Sequence, residues 1–336
     1  MALLPISIII AIVNYKVDPA NIFTEEAYID GIAKIIINRH NVSNISNYDE
    51  RLLLKKIVSN LKFQPDRVIL GSSRIMEIGS DFYPTDTVIN CGVSHANIYD
   101  ITALCGILAE NKRLPKKLLI NLDPFTLSDK VTNEWLSIAS DYKFMLNNMQ
   151  FSNQTEDKSD NLFNDKRFKS ILSFSYFKES LNFIVNRNSK MYLDIGRSIP
   201  YPNGRFFDGT ISYSKAYTNP DTLAFETIAK EYAVKNSNGN LDNEKVIILD
   251  KLIDYLISKN IIVEFVMIPF HPFYYTTLNS YHKNELIEYE KFYINFASKK
   301  GIKILGSFNP SKYGLINSNF YDAFHPSKQA IKKIFN

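Results

Sequence analysis

Cysteine is nearly missing from this chain. The two that occur, Cys91 and Cys105, form neither a disulfide framework nor the paired spacing of a zinc site. Both fall in apolar stretches, one strand-like and one helix-like, and read as buried thiols. Histidine is equally sparse. The five imidazoles are scattered, with no H-x-x-x-H or H-x-H pair, so no metal and no cofactor are expected. Net charge is +4 and the basic residues are dispersed. With no Lys/Arg block, nucleic acid is not an expected partner. No apolar run reaches the ~20 residues a membrane-spanning helix needs.

One shorter apolar run does occur, "ALLPISIIIAIV" from Ala2 to Val13. It has the character of a signal-peptide core or the remainder of a signal anchor. No A-x-A site follows it, and the basic flank that normally sets orientation is missing. The other reading is a buried strand or short core helix. As an anchor over residues 1–15, it places the rest of the chain on the extracytoplasmic face.

What is abundant is aromatic: 20 Tyr and 23 Phe, 13% of the chain with its one Trp. Such a surplus suits sugar-like ligands, and it also suits cores and strands. The remaining composition, 45% hydrophobic and 22% charged, is that of a folded globular protein. Residues 16–65 read as a helical lead-in, with "TEEAYIDGIAKIIINRH" and "YDERLLLKKIVSNLKF" as amphipathic helices. A strand–helix rhythm follows. "DRVILG", "DTVINCG" and "KKLLINLD" are strands, and "IYDITALCGILAENK" is a helix. From about Pro124 to Asn243 the rhythm is lost in a polar, aromatic stretch that reads as an insertion. It then returns with helix "EKVIILDKLIDYLISKN", strand "IIVEFVMIP", helix "NELIEYEKFYINFASKK", strand "IKILG" and helix "PSKQAIKKIF". Alternation of this kind predicts an α/β domain over 66–336 with a mainly parallel sheet. Its site should lie beyond the carboxyl ends of the strands.

The residues standing after those strands are therefore the candidates. "GSSRIMEIG" offers Ser72 and Ser73 at a strand-to-helix corner, where backbone N–H groups favour a developing oxyanion. Ser72 as a plain helix cap is the competing role. "NCGVSHAN" offers Gly92 and His95, and "NLDPF" offers Asp123. "IPFHPF" offers His271, read as a loop histidine with substrate contact as its alternative. "FYDAFHPSK" offers Asp322 and His325 three residues apart. Pro326 is expected at the first position of the closing helix. A serine needs a base to become a nucleophile. A carboxylate on one imidazole nitrogen leaves the other free to take the serine proton.

In this order, "VILGSSR", "INCGVSHAN", "LINLDPF" and the C-terminal "DAFHP" resemble the SGNH/GDSL hydrolase superfamily. The resemblance covers about 66–124 and 244–336. It implies a flavodoxin-like three-layer α/β/α fold with a helical or irregular insertion at about 124–243. It puts the nucleophile on Ser73, with Ser72 in place of the family aspartate, and the acid and base on Asp322 and His325. Its oxyanion block falls on Gly92 and His95, and Arg74 with the aromatic insertion is expected to hold substrate. Asp123 stands where the family has an asparagine donor. An ionised Asp cannot donate, and losing one oxyanion donor costs about 10²–10³ in rate. The G-S-S variant is similar to the branch of lipoteichoic-acid D-alanylation and alginate O-acetylation proteins. That likeness implies O-acyl transfer, with acetyl expected, to or from a cell-surface polysaccharide. It also implies a membrane tether and a membrane-bound O-acyltransferase as partner. Two rivals stand beside it: a catalytically inactive scaffold that keeps the fold, and a soluble intracellular esterase whose first 15 residues are core.

Overall fold

The computed structural model describes residues 3–19, 23, 25–130, 132–151, 170–185, 192–201, 203–218 and 222–335. The apolar N-terminus forms α1 (Leu3–Val17). The lead-in after it runs α2 (Glu25–Ile37), a two-residue strand β1 (Val42–Ser43) that breaks its expected helical character, and α3 (Glu50–Asn60). Asp49 starts α3, its carboxylate accepting from the N–H groups of Arg51 and Leu52 at 2.8 and 3.2 Å. Ile29 and Ile32 of α2 and Leu53, Leu54 and Ile57 of α3 are buried in the same apolar core as the sheet that follows.

That sheet begins with β2 (Arg67–Leu70), β3 (Val88–Asn90), α4 (Ile98–Glu110) and β4 (Lys117–Asn121). Asn97 and Asp100 form a reciprocal capping box at the start of α4. The insertion adds α5 (Ala139–Asn148), α6 (Phe174–Val185), β5 (Leu193–Asp194), β6 (Gly204–Arg205), β7 (Ile211–Ser212), α7 (Lys215–Thr218) and α8 (Thr222–Lys235). The rhythm resumes with α9 (Asn243–Ser258), β8 (Ile262–Met267), α10 (Pro272–Tyr281), α11 (Glu285–Lys300), β9 (Lys303–Gly306) and α12 (Lys328–Phe335).

Strand order in the main sheet is β3-β2-β4-β8-β9, with every neighbouring pair parallel. Counted along the chain this is 2-1-3-4-5, the doubly wound order whose switch point lies between the first and third strands. Side chains alternate between faces. Val68, Leu70, Leu118, Ile120, Phe265 and Met267 join the large cluster built with α4, α9 and α11. Ile69, Leu119 and Val266 face the other way, onto α12 and the segment after β2. The result is three layers, one thick and one thin. Each fully buried aliphatic residue of this kind stabilises the fold by about 1.5–3 kcal/mol.

The described part of the insertion carries more regular structure than its sequence suggests. β5, β6 and β7 join β1 in an antiparallel sheet of order β5-β1-β6-β7. The β6–β7 hairpin covers the open edge of β3, where the Asn90 N–H donates to the Asp208 carbonyl at 2.7 Å. Gly209 has φ +84°, and a Cβ there would sit 2.2 Å from the Asn90 carbonyl oxygen. Fully buried Arg205 anchors the hairpin, donating to Tyr48 Oη, the Gly209 carbonyl and Glu50 at 3.0–3.1 Å. The stretch "NNMQFSNQTEDKSDN", expected to be a loop, lies outside the described residues from 152 onward.

The N-terminal apolar segment is α1, neither a strand nor a core helix. Ile6, Ile8, Ile9 and Ile12 are each at least half exposed. Asn14 docks it on the insertion, donating to the carbonyls of Ser170, Ile171 and Ser173 at 3.0–3.1 Å. Among the described residues, no helix is long and apolar enough to cross a membrane.

Candidate active site

β2 ends at Leu70 and the chain turns at Gly71, whose φ is +146°. A Cβ on Gly71 would meet the Asn121 Cβ at 2.5 Å. Only glycine lets the corner after β2 lie this close to the end of β4. The two serines then separate by environment. Ser72 is 2% exposed, and its Oγ donates to Asp123 at 2.6 Å and to Asn121 at 3.2 Å. Ser73 is partly exposed, and its Oγ lies 2.8 Å from His325 Nε2. The helix behind it is a single 3-10 turn, Ser73–Ile75, so the dipole expected there is small.

His325 sits on a tight loop rather than at a helix start. α12 begins at Lys328, and Pro326 pairs with Phe320 in an isolated antiparallel bridge. The bridge closes the loop on itself, with the Tyr321 N–H donating to the His325 carbonyl at 2.8 Å. Inside the loop, Asp322 Oδ1 accepts from the N–H groups of Phe324 and His325 at 2.7 and 2.8 Å. Both carboxylate oxygens lie within 2.9 Å of His325 Nδ1. This network assigns the proton to Nδ1 and leaves Nε2 as an acceptor for the serine. Burial pushes the Asp322 carboxyl up. The bonds from His325, Tyr217 and Phe324 outweigh it and bring the carboxyl down to about 2.

Arg74 and Asp123 do not line the substrate space expected of them. Arg74 is 2% exposed and Asp123 is 0% exposed, and the two form a buried ion pair. Asp123 is therefore a counter-ion rather than a failed oxyanion donor. Arg74 spends its other donors on backbone: Nε to Phe324, and Nη2 to Ile268 and Pro269. Its guanidinium lies over the Phe270 ring at 3.7 Å. The site's asparagine, Asn121, braces the corner by accepting from Ser72 N–H at 3.3 Å.

The expected oxyanion block is only partly available. The Gly92 N–H donates to Asn90 Oδ1 at 2.8 Å. A Cβ at Gly92 would meet the side chains of Ile75, Asn90 and Met76 at 2.6–3.2 Å. His95 has φ +54° and an exposed ring. Among the described residues, no hydrogen bond joins it to Ser73, Asp322 or His325. His271 is 2% exposed. Its ring accepts from the Phe273 N–H at 3.3 Å, capping α10, and its backbone N–H donates to Ala323 at 3.2 Å. It supports the loop of Asp322 and His325 from behind, and burial holds its imidazole below the usual range.

The insertion supplies what the motifs did not. Tyr217 of α7 donates to Asp322 Oδ2 at 2.6 Å, and its Oη lies 3.0 Å from His325 Nδ1. Tyr213, Tyr217 and Tyr321 form a three-ring cluster with centroids 4.8–5.9 Å apart. Tyr213 Oη reaches the Ser73 carbonyl at 3.5 Å. Glu77 lies 3.4 Å from Tyr321 Oη, and burial pushes its carboxyl up to about 7. The aromatic surplus was the only sequence signal for this cluster, since it sits where no periodicity marks a strand end. No family model matches the chain, and no curated protein matches it.

Proposed function

We propose that this chain is an SGNH-type serine acyltransferase or esterase. Ser73 Oγ attacks an acyl carbonyl while His325 Nε2 takes the hydroxyl proton. The tetrahedral intermediate collapses as that proton passes to the departing alcohol, leaving Ser73 acylated. An acceptor hydroxyl, or water, then gives its proton to His325 and attacks the ester carbonyl. The intermediate collapses as His325 returns that proton to Ser73 Oγ, freeing the serine. Asp322 holds the imidazole throughout. One observation carries this reading: the 2.8 Å contact of Ser73 Oγ with His325 Nε2, while Nδ1 lies on Asp322. The G-S-S and D-x-x-H motifs support the family, and the site's place at the switch point of a 2-1-3-4-5 sheet agrees with it.

In the same reading the acyl group is acetyl, the acceptor is a carbohydrate polymer at the cell envelope, and a membrane-bound O-acyltransferase supplies the donor. The tyrosine cluster beside Ser73 and the exposed isoleucines of α1 support an aromatic-lined sugar site on a membrane-facing protein. A fluorophosphonate probe tests the chemistry. Wild type should be labelled, Ser73→Ala should not, and Ser72→Ala should still be.

A second reading is a catalytically inactive polysaccharide-binding or scaffold protein. It is favoured by the oxyanion donors. The Gly92 N–H is taken and Asp123 is committed to Arg74, which leaves the N–H groups of Ser73 and His95. Wild-type protein that resists the probe at every pH would select this reading.

A further inference from the structure

Tyr217 stands 108 residues before His325 in sequence, yet its Oη touches both Asp322 and His325. The three groups form a closed triangle. Tyr217 O–H donates to Asp322 Oδ2 at 2.6 Å. His325 Nδ1–H is shared between Asp322, at 2.8–2.9 Å, and Tyr217 Oη, at 3.0 Å. We propose that Tyr217 is a positioning residue of the proton relay, so that the α/β core has a complete acid–base site only when the insertion is docked on it. The proposal rests on the serine-acyl-transfer reading above.

Two features make the role physical. Tyr O–H is a donor that stays protonated here, because burial and the neighbouring Asp322 carboxylate push the phenol far up. It thus neutralises part of the charge on Asp322 Oδ2 at any working pH. The same oxygen accepts from Nδ1–H and limits ring rotation, which keeps Nε2 aimed at Ser73. The segment bearing Tyr217 is held in place by hairpin contacts elsewhere. Ile211 N–H donates to the Met76 carbonyl at 3.0 Å, and Ser80 Oγ donates to Asp208 at 2.8 Å. The other charged or titratable groups around the triangle are Tyr213, Tyr321, Glu77, Arg74 and His271.

The test uses Tyr217→Phe, which keeps the ring and removes only the hydroxyl. Two quantities are read. One is the pH profile of the second-order rate of fluorophosphonate labelling at Ser73. The other is the downfield proton resonance of the His325 Nδ1–H, assigned by its loss in His325→Ala. With the hydroxyl gone, Asp322 presents more charge to a protonated imidazole, so the base stays protonated to higher pH. The profile midpoint should move up by at least about half a unit, the rate at a pH below both midpoints should fall about threefold or more, and the resonance should shift. An unmoved midpoint and resonance, in a variant whose wild type labels normally, would overturn the role of Tyr217 alone. If wild type does not label but the resonance shifts in Tyr217→Phe, the triangle stands and the acyl-transfer reading falls. No labelling with an unmoved resonance sinks both.

Discussion

Arg74 Nε donates to the carbonyl oxygen of Phe324 at 2.9 Å. The residue after Ser73 thus holds the residue before His325, across 250 positions of sequence. Asp123 neutralises that guanidinium, and Ser72 Oγ shares the same carboxylate at 2.6 Å. The distance between Ser73 and His325 is therefore set by a buried polar network.

Breaking this network should cost stability. Arg74→Leu strands the buried Asp123 carboxylate and should lower unfolding free energy by about 3–5 kcal/mol, read from urea denaturation. Replacing both partners, Arg74→Met with Asp123→Leu, should recover much of the stability. Labelling of Ser73 should stay slow, because the Phe324 carbonyl is no longer pinned. Full recovery of labelling in the double variant would show that the pair does not set the geometry.

Ser72→Ala and Ser73→Ala should part company. Ser72→Ala removes a donor to a buried carboxylate and should cost about 1–3 kcal/mol while labelling persists. Ser73→Ala should leave the denaturation midpoint nearly unchanged and abolish labelling. The reverse pattern would move the nucleophile to Ser72.

Asp322→Asn retains the shape of the loop but cannot hold Nδ1–H in the same way. Labelling should fall by about 10⁴. A loss below tenfold would remove Asp322 from the relay.

Acid should weaken the loop through the same carboxylate. Its folded-state value, about 2, lies below the ordinary value of 3.8. The stabilisation is therefore fully present above pH 4 and disappears as pH falls toward 2. It amounts to about 2 kcal/mol. Stability curves of wild type and Asp322→Asn should converge across that window, and parallel curves would contradict it.

Glu77 runs the opposite way. Burial raises its carboxyl from 4.5 to about 7, so its contribution is intact below pH 4.5 and is lost as pH rises through 7. Glu77→Gln should flatten that slope and raise stability at pH 8 by on the order of 2 kcal/mol. Thermal midpoints measured at pH 5 and pH 8 suffice to check it.

Much of the scaffold was legible because it follows from periodicity. "RVIL", "KLLIN" and "IVEFVM" are apolar runs of strand length, and a parallel sheet buried on both faces needs such runs. Ser73 stood out because it follows a strand, and Asp322 and His325 because of their three-residue spacing; the structure places the three in contact. The roles of Arg74, Gly92 and Asp123 were not legible. A charge after a strand looks the same whether it faces solvent or a buried partner. The carbonyls of Ile268, Pro269 and Phe324, which claim Arg74, come from two distant segments. α10 is not legible in the sequence because "IPFHPF" places His271 between two prolines, which reads as loop. In the structure His271 caps a helix whose first residue is Pro272.

By itself the sequence determined an α/β alternation and a parallel sheet, since local apolar spacing dictates those, and it offered a serine after the first strand of that sheet and an Asp-x-x-His pair near the C-terminus. Only the tertiary structure decided which serine faces the imidazole, which charges are buried as a pair, and that a tyrosine from the aperiodic insertion lies on the acid and the base. Each of those depends on atoms brought within hydrogen-bond reach from far along the chain, and no local pattern encodes that distance.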